Sequence, residues 1–79
     1  MDWVTIIKSI YQRLETNGFR DTSKEIQHEQ LKGGTPGEMF TLVVSKLIDI
    51  KDQQPEIYAV IKEETDWMIL YAKKINYLP

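Results

Sequence analysis

The stretch Thr35-Pro36-Gly37-Glu38-Met39-Phe40-Thr41-Leu42-Val43-Val44-Ser45-Lys46-Leu47-Ile48-Asp49-Ile50 decides the fold of this 79-residue chain. Thr35 is a good N-cap, Pro36 suits the first helical position, and Glu38 stands three residues after the cap, where it completes a capping box. From there Met39, Phe40, Val43, Val44, Leu47 and Ile50 recur at helical spacing, with Thr41, Ser45, Asp49 and Asp52 opposite. The β-branched residues lower helix propensity slightly, but cap and period outweigh them. The spacing predicts a helix over 36–52.

Upstream, Trp3, Val4, Ile7, Ile10, Tyr11 and Leu14 form a second stripe, with Asp2 able to cap it and Asn17-Gly18 able to end it. That predicts a helix over 2–17, with Phe19 placed for a C-terminal hydrophobic contact. Between these two, Phe19–Lys32 is polar. Asp21 or Thr22 could cap, Thr22 with Glu25 makes a further capping box, and Ile26 and Leu31 lie about 140° apart on a helical wheel. The reading is a short helix near 22–31, held by its neighbours, followed by a Gly-rich turn; an irregular connection is the alternative. Downstream, a long helix is expected over 55–77. There Ile57, Val60, Ile61, Trp67, Met68, Tyr71, Ala72 and Ile75 cover one broad arc, which Tyr58 and Ile69 widen to roughly half the circumference. Lys73 and Lys74 favour the negative end of that helix. The fold class is therefore all-α: one domain over 1–79, a small antiparallel bundle of three strong helices and one short weak helix. Its expected core is Trp3, Ile7, Ile10, Tyr11, Leu14, Phe40, Val43, Leu47, Ile57, Ile61, Met68 and Ile75. Ile6, Leu42, Ile48 and Leu70 are left toward the outer sides.

Composition excludes several kinds of function. The chain is 42% apolar and 28% charged, with net charge −2 and pI near 5.3. Mild acidity argues against a nucleic-acid partner, which would meet a basic face. No apolar run approaches the ~20 residues of a membrane span, and no secretory leader is visible, so the expectation is a soluble cytoplasmic domain. There is no cysteine and one histidine, which removes disulfides, thiolate metal sites and most zinc chemistry. No cofactor is expected. A domain this small buries only about 60–65% of its unfolded surface, so its core is thin and self-association would supplement it.

Three motifs invite a chemical reading. The glycines of Gly33-Gly34-Thr35-Pro36-Gly37 precede a helix, as in a phosphate cradle, but Glu38 stands where a P-loop has lysine and would repel the anion. A tight turn with a cap is the better reading. Glu25-Ile26-Gln27-His28 has the Glu-x-x-His spacing of di-iron bundles, which need two such motifs. With one histidine only a symmetric dimer could supply them, and an exposed His on a polar helix is preferred. Ser9, Ser23 and Ser45 have no convergent base, and Glu63, Glu64 and Asp66 have no deep cleft to tune them. No enzyme is expected.

Two features of the last helix point instead to a surface. Glu64 falls in the middle of the apolar arc, where a carboxylate must be paired, solvated at the core's edge, or part of an interface. Lys8, Arg13, His28 or a tyrosine hydroxyl are candidate partners. Trp67 lies at the arc's edge beside Val60, Glu63 and Tyr71, and an aromatic pair flanked by carboxylates is the composition of a binding hot spot. Trp67, Tyr71, Val60, Glu63 and Glu64 are the expected interface of a non-enzymatic interaction module, a homodimer or a partner of another protein. The chain's size, acidity and helical build are also similar to small antitoxin or bacteriocin-immunity proteins, in composition and architecture though not motif by motif. That similarity implies an alternative: neutralisation of a basic partner through Glu56, Glu63 and Asp66, by salt-sensitive association.

Overall fold

A computed structural model describes residues 2–75, and it is all-α: α1 (Trp3–Thr16), α2 (Arg20–Lys32), α3 (Pro36–Gln53), α4 (Pro55–Val60) and α5 (Lys62–Lys74), with no strand among the described residues. The expected helix end at Tyr77 lies outside the described residues.

α3 begins where its cap signals place it. The Glu38 N–H donates to Thr35 Oγ1 at 3.2 Å, and the Thr35 hydroxyl donates to Glu38 Oε1 at 3.3 Å. The turn before it passes so close to the helix that a Cβ on Gly33 would stand 2.5 Å from the Met39 nitrogen. Only glycine leaves room there. Phe40, Val43, Val44, Leu47 and Ile50 are buried, and the helix stops at Gln54 because the residue before a proline is driven out of the helical region.

α1 is also capped as its sequence implies. Asp2 accepts the Thr5 N–H at 3.0 Å and the Thr5 hydroxyl at 3.1 Å, which holds the Asp2 carboxyl below its usual range. At the other end Gly18 takes φ +87°, Phe19 N–H donates to the Leu14 carbonyl at 2.8 Å, and Gly18 N–H donates to the Glu15 carbonyl at 3.3 Å. This pair of bonds is the Schellman arrangement that left-handed glycine makes possible.

α2 is longer than expected, and its start differs. It begins at Arg20 directly after the Schellman turn, with the Phe19 carbonyl accepting the Ser23 N–H at 3.1 Å. Thr22 is therefore no cap; it and Ser23 are buried inside the helix beside Ile26. Thr22, Ser23, Ile26, Gln27 and Gln30 form an inward stripe that is mostly small and polar. Gln27 donates to the Ser23 hydroxyl at 3.0 Å, and Tyr11 donates to Gln30 Oε1 at 2.6 Å, tying α1 to α2. Partial burial disfavours the ionised phenol and raises Tyr11 to about 12. Leu31 points away and is 81% exposed.

The long C-terminal helix is broken. Ile61 leaves the helical region (φ −119°, ψ 25°), its N–H bonding back to Tyr58, and α5 restarts from its carbonyl, which accepts the Thr65 N–H at 2.9 Å. Neither glycine nor proline marks the site. On either side of the break Ile57, Ile61, Met68 and Ala72 are buried.

The core gathers these residues with Ile7, Ile10, Leu14, Ile26 and the α3 stripe. The expectations for Ile75, Trp3, Tyr11 and Ile6 are corrected. Ile75 is 38% exposed beyond the last turn of α5, and Trp3 and Tyr11 are only half-buried. Ile6, expected outside, is buried, because α5 covers that side of α1. Val4, at the far edge of the α1 stripe, is 42% exposed instead. No helix among the described residues is long and apolar enough to cross a membrane.

Candidate interaction surface on the C-terminal helix

The break at Ile61 determines how α5 is presented. No side chain caps its start, so the first-turn carboxylates Glu63 and Glu64 complement the positive helix end, and Lys73 and Lys74 complement the negative one. The two glutamates then have different fates. Glu63 is exposed. Glu64 turns inward, is buried, forms an ion pair through Oε2 with Arg13 Nε at 2.5 Å, and accepts the Ser9 hydroxyl there at 2.9 Å. Arg13 was among its expected partners. Ser9 was not, although it stands one turn before Arg13 and so faces the same neighbour.

Trp67 follows one turn after Glu63 and Glu64. Its ring stacks on Tyr71 with centroids 5.1 Å apart and planes 17° apart. Tyr71 meets Phe40 edge-on at 5.7 Å, and Phe40 meets Trp3 at 5.5 Å. This aromatic series runs from the surface into the core, with centroid spacings in the range that favours aromatic pairs. Beside Trp67, α1 and α5 leave an open groove of about 380 Å³, lined by Thr5, Ile6, Ser9, Glu63, Glu64 and Trp67. Leu70, one turn further along the outer side, is 63% exposed.

Of the five expected interface residues, Glu63, Glu64 and Trp67 meet at this groove, and Tyr71 supports Trp67 from behind. Val60 is elsewhere: it ends α4, before the break, and packs half-buried against the core. The α1 side of the groove (Thr5, Ile6 and Ser9) was not anticipated. The signal for it is the i, i+4 succession Thr5, Ser9, Arg13 along one edge of the α1 stripe.

The other sequence motifs are occupied by lysines and hydroxyls. Asp66 accepts the Tyr58 hydroxyl at 2.5 Å and pairs with Lys62 at 2.7 Å and Lys51 at 3.6 Å. The Lys62 bond, then that of Tyr58, holds its carboxyl below the usual carboxylate range, and Asp66 in turn raises Lys62. Both ammonium groups also lie over the Tyr58 ring, at 5.4 and 5.8 Å. The charge of Asp66 is thus largely spent within the molecule. Glu25 pairs with Lys46 at 3.4 Å, Glu29 pairs with Lys32 at 2.6 Å, and His28 is exposed. Among the described residues no group of three or more His, Cys, Asp or Glu side chains is gathered to hold a metal ion.

No protein-family model matches this chain, and no curated protein or solved structure matches it either.

Proposed function

We propose that this chain is a non-enzymatic protein–protein interaction module that self-associates through the outer side of α5. One observation carries the reading. Trp67 is oriented by its stack on Tyr71 at the rim of a groove, and the 63%-exposed Leu70 lies one turn away. A pre-oriented tryptophan loses little side-chain freedom on binding, and such residues dominate interface energetics. Glu63 and the α1 hydroxyls of Thr5 and Ser9 frame it as a polar rim. Glu64 serves this surface from behind, by locking α1 against α5.

Light-scattering mass, followed from tens of micromolar to millimolar protein, tests the proposal. The expected result is a rise from the 9.3 kDa monomer toward twice that mass, abolished by Trp67→Ala. A mass of 9.3 kDa throughout, or a dimer indifferent to Trp67→Ala, overturns it.

A further inference from the structure

On the outer side of α5, residues 63, 67, 70 and 74 are spaced four, three and four apart, a pattern that reads the same from either end. At 100° per residue they fall within a strip about 60° wide. Along the strip the chemistry runs acid, tryptophan, leucine, base. Glu63 and Lys74 are exposed, and neither has an ion-pair partner among the described residues, unlike Asp66 and Lys62 on the opposite flank. Acids in the first turn and lysines in the last suit any helix dipole. Their alignment with Trp67 and Leu70 on one strip goes further.

Resting on the reading above, we infer that the partner is a second copy of this chain, bound with the two α5 helices antiparallel about a two-fold axis between positions 68 and 69. A closed two-fold interface requires that residue i meet residue j while j meets i. In this register Trp67 packs on the partner's Leu70, Leu70 packs on the partner's Trp67, and Glu63 faces the partner's Lys74 at both ends. Glu63 and Lys74 each stand about 8 Å along the axis from the midpoint, so the opposed charges lie level, within side-chain reach across helices ~8–10 Å apart. A parallel pairing would set Glu63 against itself and Lys74 against itself. α5 is only about 20 Å long, so one helix pair buries less than the ~1,200–2,000 Å² of a standard stable interface. The dimer is accordingly weak and concentration-dependent.

Sedimentation equilibrium on Glu63→Lys, Lys74→Glu, their equimolar mixture and the double variant tests the register, with circular dichroism confirming the helical fold of each. Either single variant places like charges together at both ends of the interface. At low salt each is expected to weaken self-association by about tenfold. The mixture and the double variant restore it, because every 63–74 contact again joins opposite charges. Single variants that dimerise like the wild type, or a double variant no tighter than the singles, overturn the antiparallel register. If Trp67→Ala still dissociates the dimer in that case, the α5 surface itself stands. A wild-type chain that stays monomeric, or a dimer indifferent to Trp67→Ala, overturns both the register and the self-association it rests on.

Discussion

Removing the Arg13 side chain should cost more than removing the Glu64 carboxylate that it holds. Two unit charges ~4 Å apart attract by about 4 kcal/mol at an effective dielectric of 20. Arg13 is 53% exposed at its side chain, so solvent screens that attraction, while Glu64 has given up most of its hydration. The net coupling is expected at about 1–2 kcal/mol, between exposed and buried pairs. Arg13→Ala leaves a buried carboxylate with Ser9 alone and should lose about 2 kcal/mol. Glu64→Leu places an aliphatic group in an apolar arc beside Ile61 and Met68, and should lose less than about 1 kcal/mol. Once Glu64 is Leu, adding Arg13→Ala should cost almost nothing. Urea unfolding of the four proteins at neutral pH measures this cycle, and thermal midpoints should move by about 4–8 °C per kcal/mol. Equal losses for Arg13→Ala in the two backgrounds would refute the reasoning, since the pair would then have no coupling.

The Thr65 hydroxyl is buried with no hydrogen-bond partner among the described residues, so Thr65→Val, of similar shape, should raise the urea midpoint, with a gain of about 1 kcal/mol. Gly33→Ala drives a Cβ into the backbone of Met39 at 2.5–2.8 Å, and thermal unfolding should show a loss of about 1–3 kcal/mol, comparable to overpacking a core. Tyr11, raised to about 12 by burial, ionises near 10 once unfolded. Its folded-state pKa is the higher one, so its contribution is complete below pH 10 and is lost as pH rises from about 10 to 12. Tyr11 is only partly buried, which reduces the size of that contribution to about 1 kcal/mol. The fall in stability between about pH 10 and 12 should therefore be smaller in Tyr11→Phe, and an unchanged fall would count against the Tyr11 assignment.

Most of the helical architecture was legible because its signals are local. Asp2, Gly18, Thr35, Pro36 and Pro55 act on backbone groups within a turn of themselves, so helix ends appear in sequence wherever caps and breakers stand. α2 was hard to read for the converse reason. Its inward face is built from Thr22, Ser23, Gln27 and Gln30 around a single Ile26, and an apolar count registers only the last. The break at Ile61 carried no signal because no residue there forbids a helix.

The same division holds at the candidate surface. That Trp67, Glu63 and Glu64 share a neighbourhood follows from helical spacing alone, as does the misfit of a carboxylate within an apolar arc. Whether Glu64 would face solvent or a partner, and that Arg13 and Ser9 would meet it, depended on which side of α1 came to lie against α5. Val60 shared the arc on a helical wheel yet ends α4, before the break, and does not line the groove beside Trp67. By itself, the sequence determined the all-helical class, the helix ends marked by caps and breakers, and the composition of the C-terminal face, because each is set by interactions within a few residues. Tertiary structure alone decided the helix break, the pairing of Glu64 and the groove between α1 and α5. Those depend on which distant faces exclude water together, and burial has no address in any single segment.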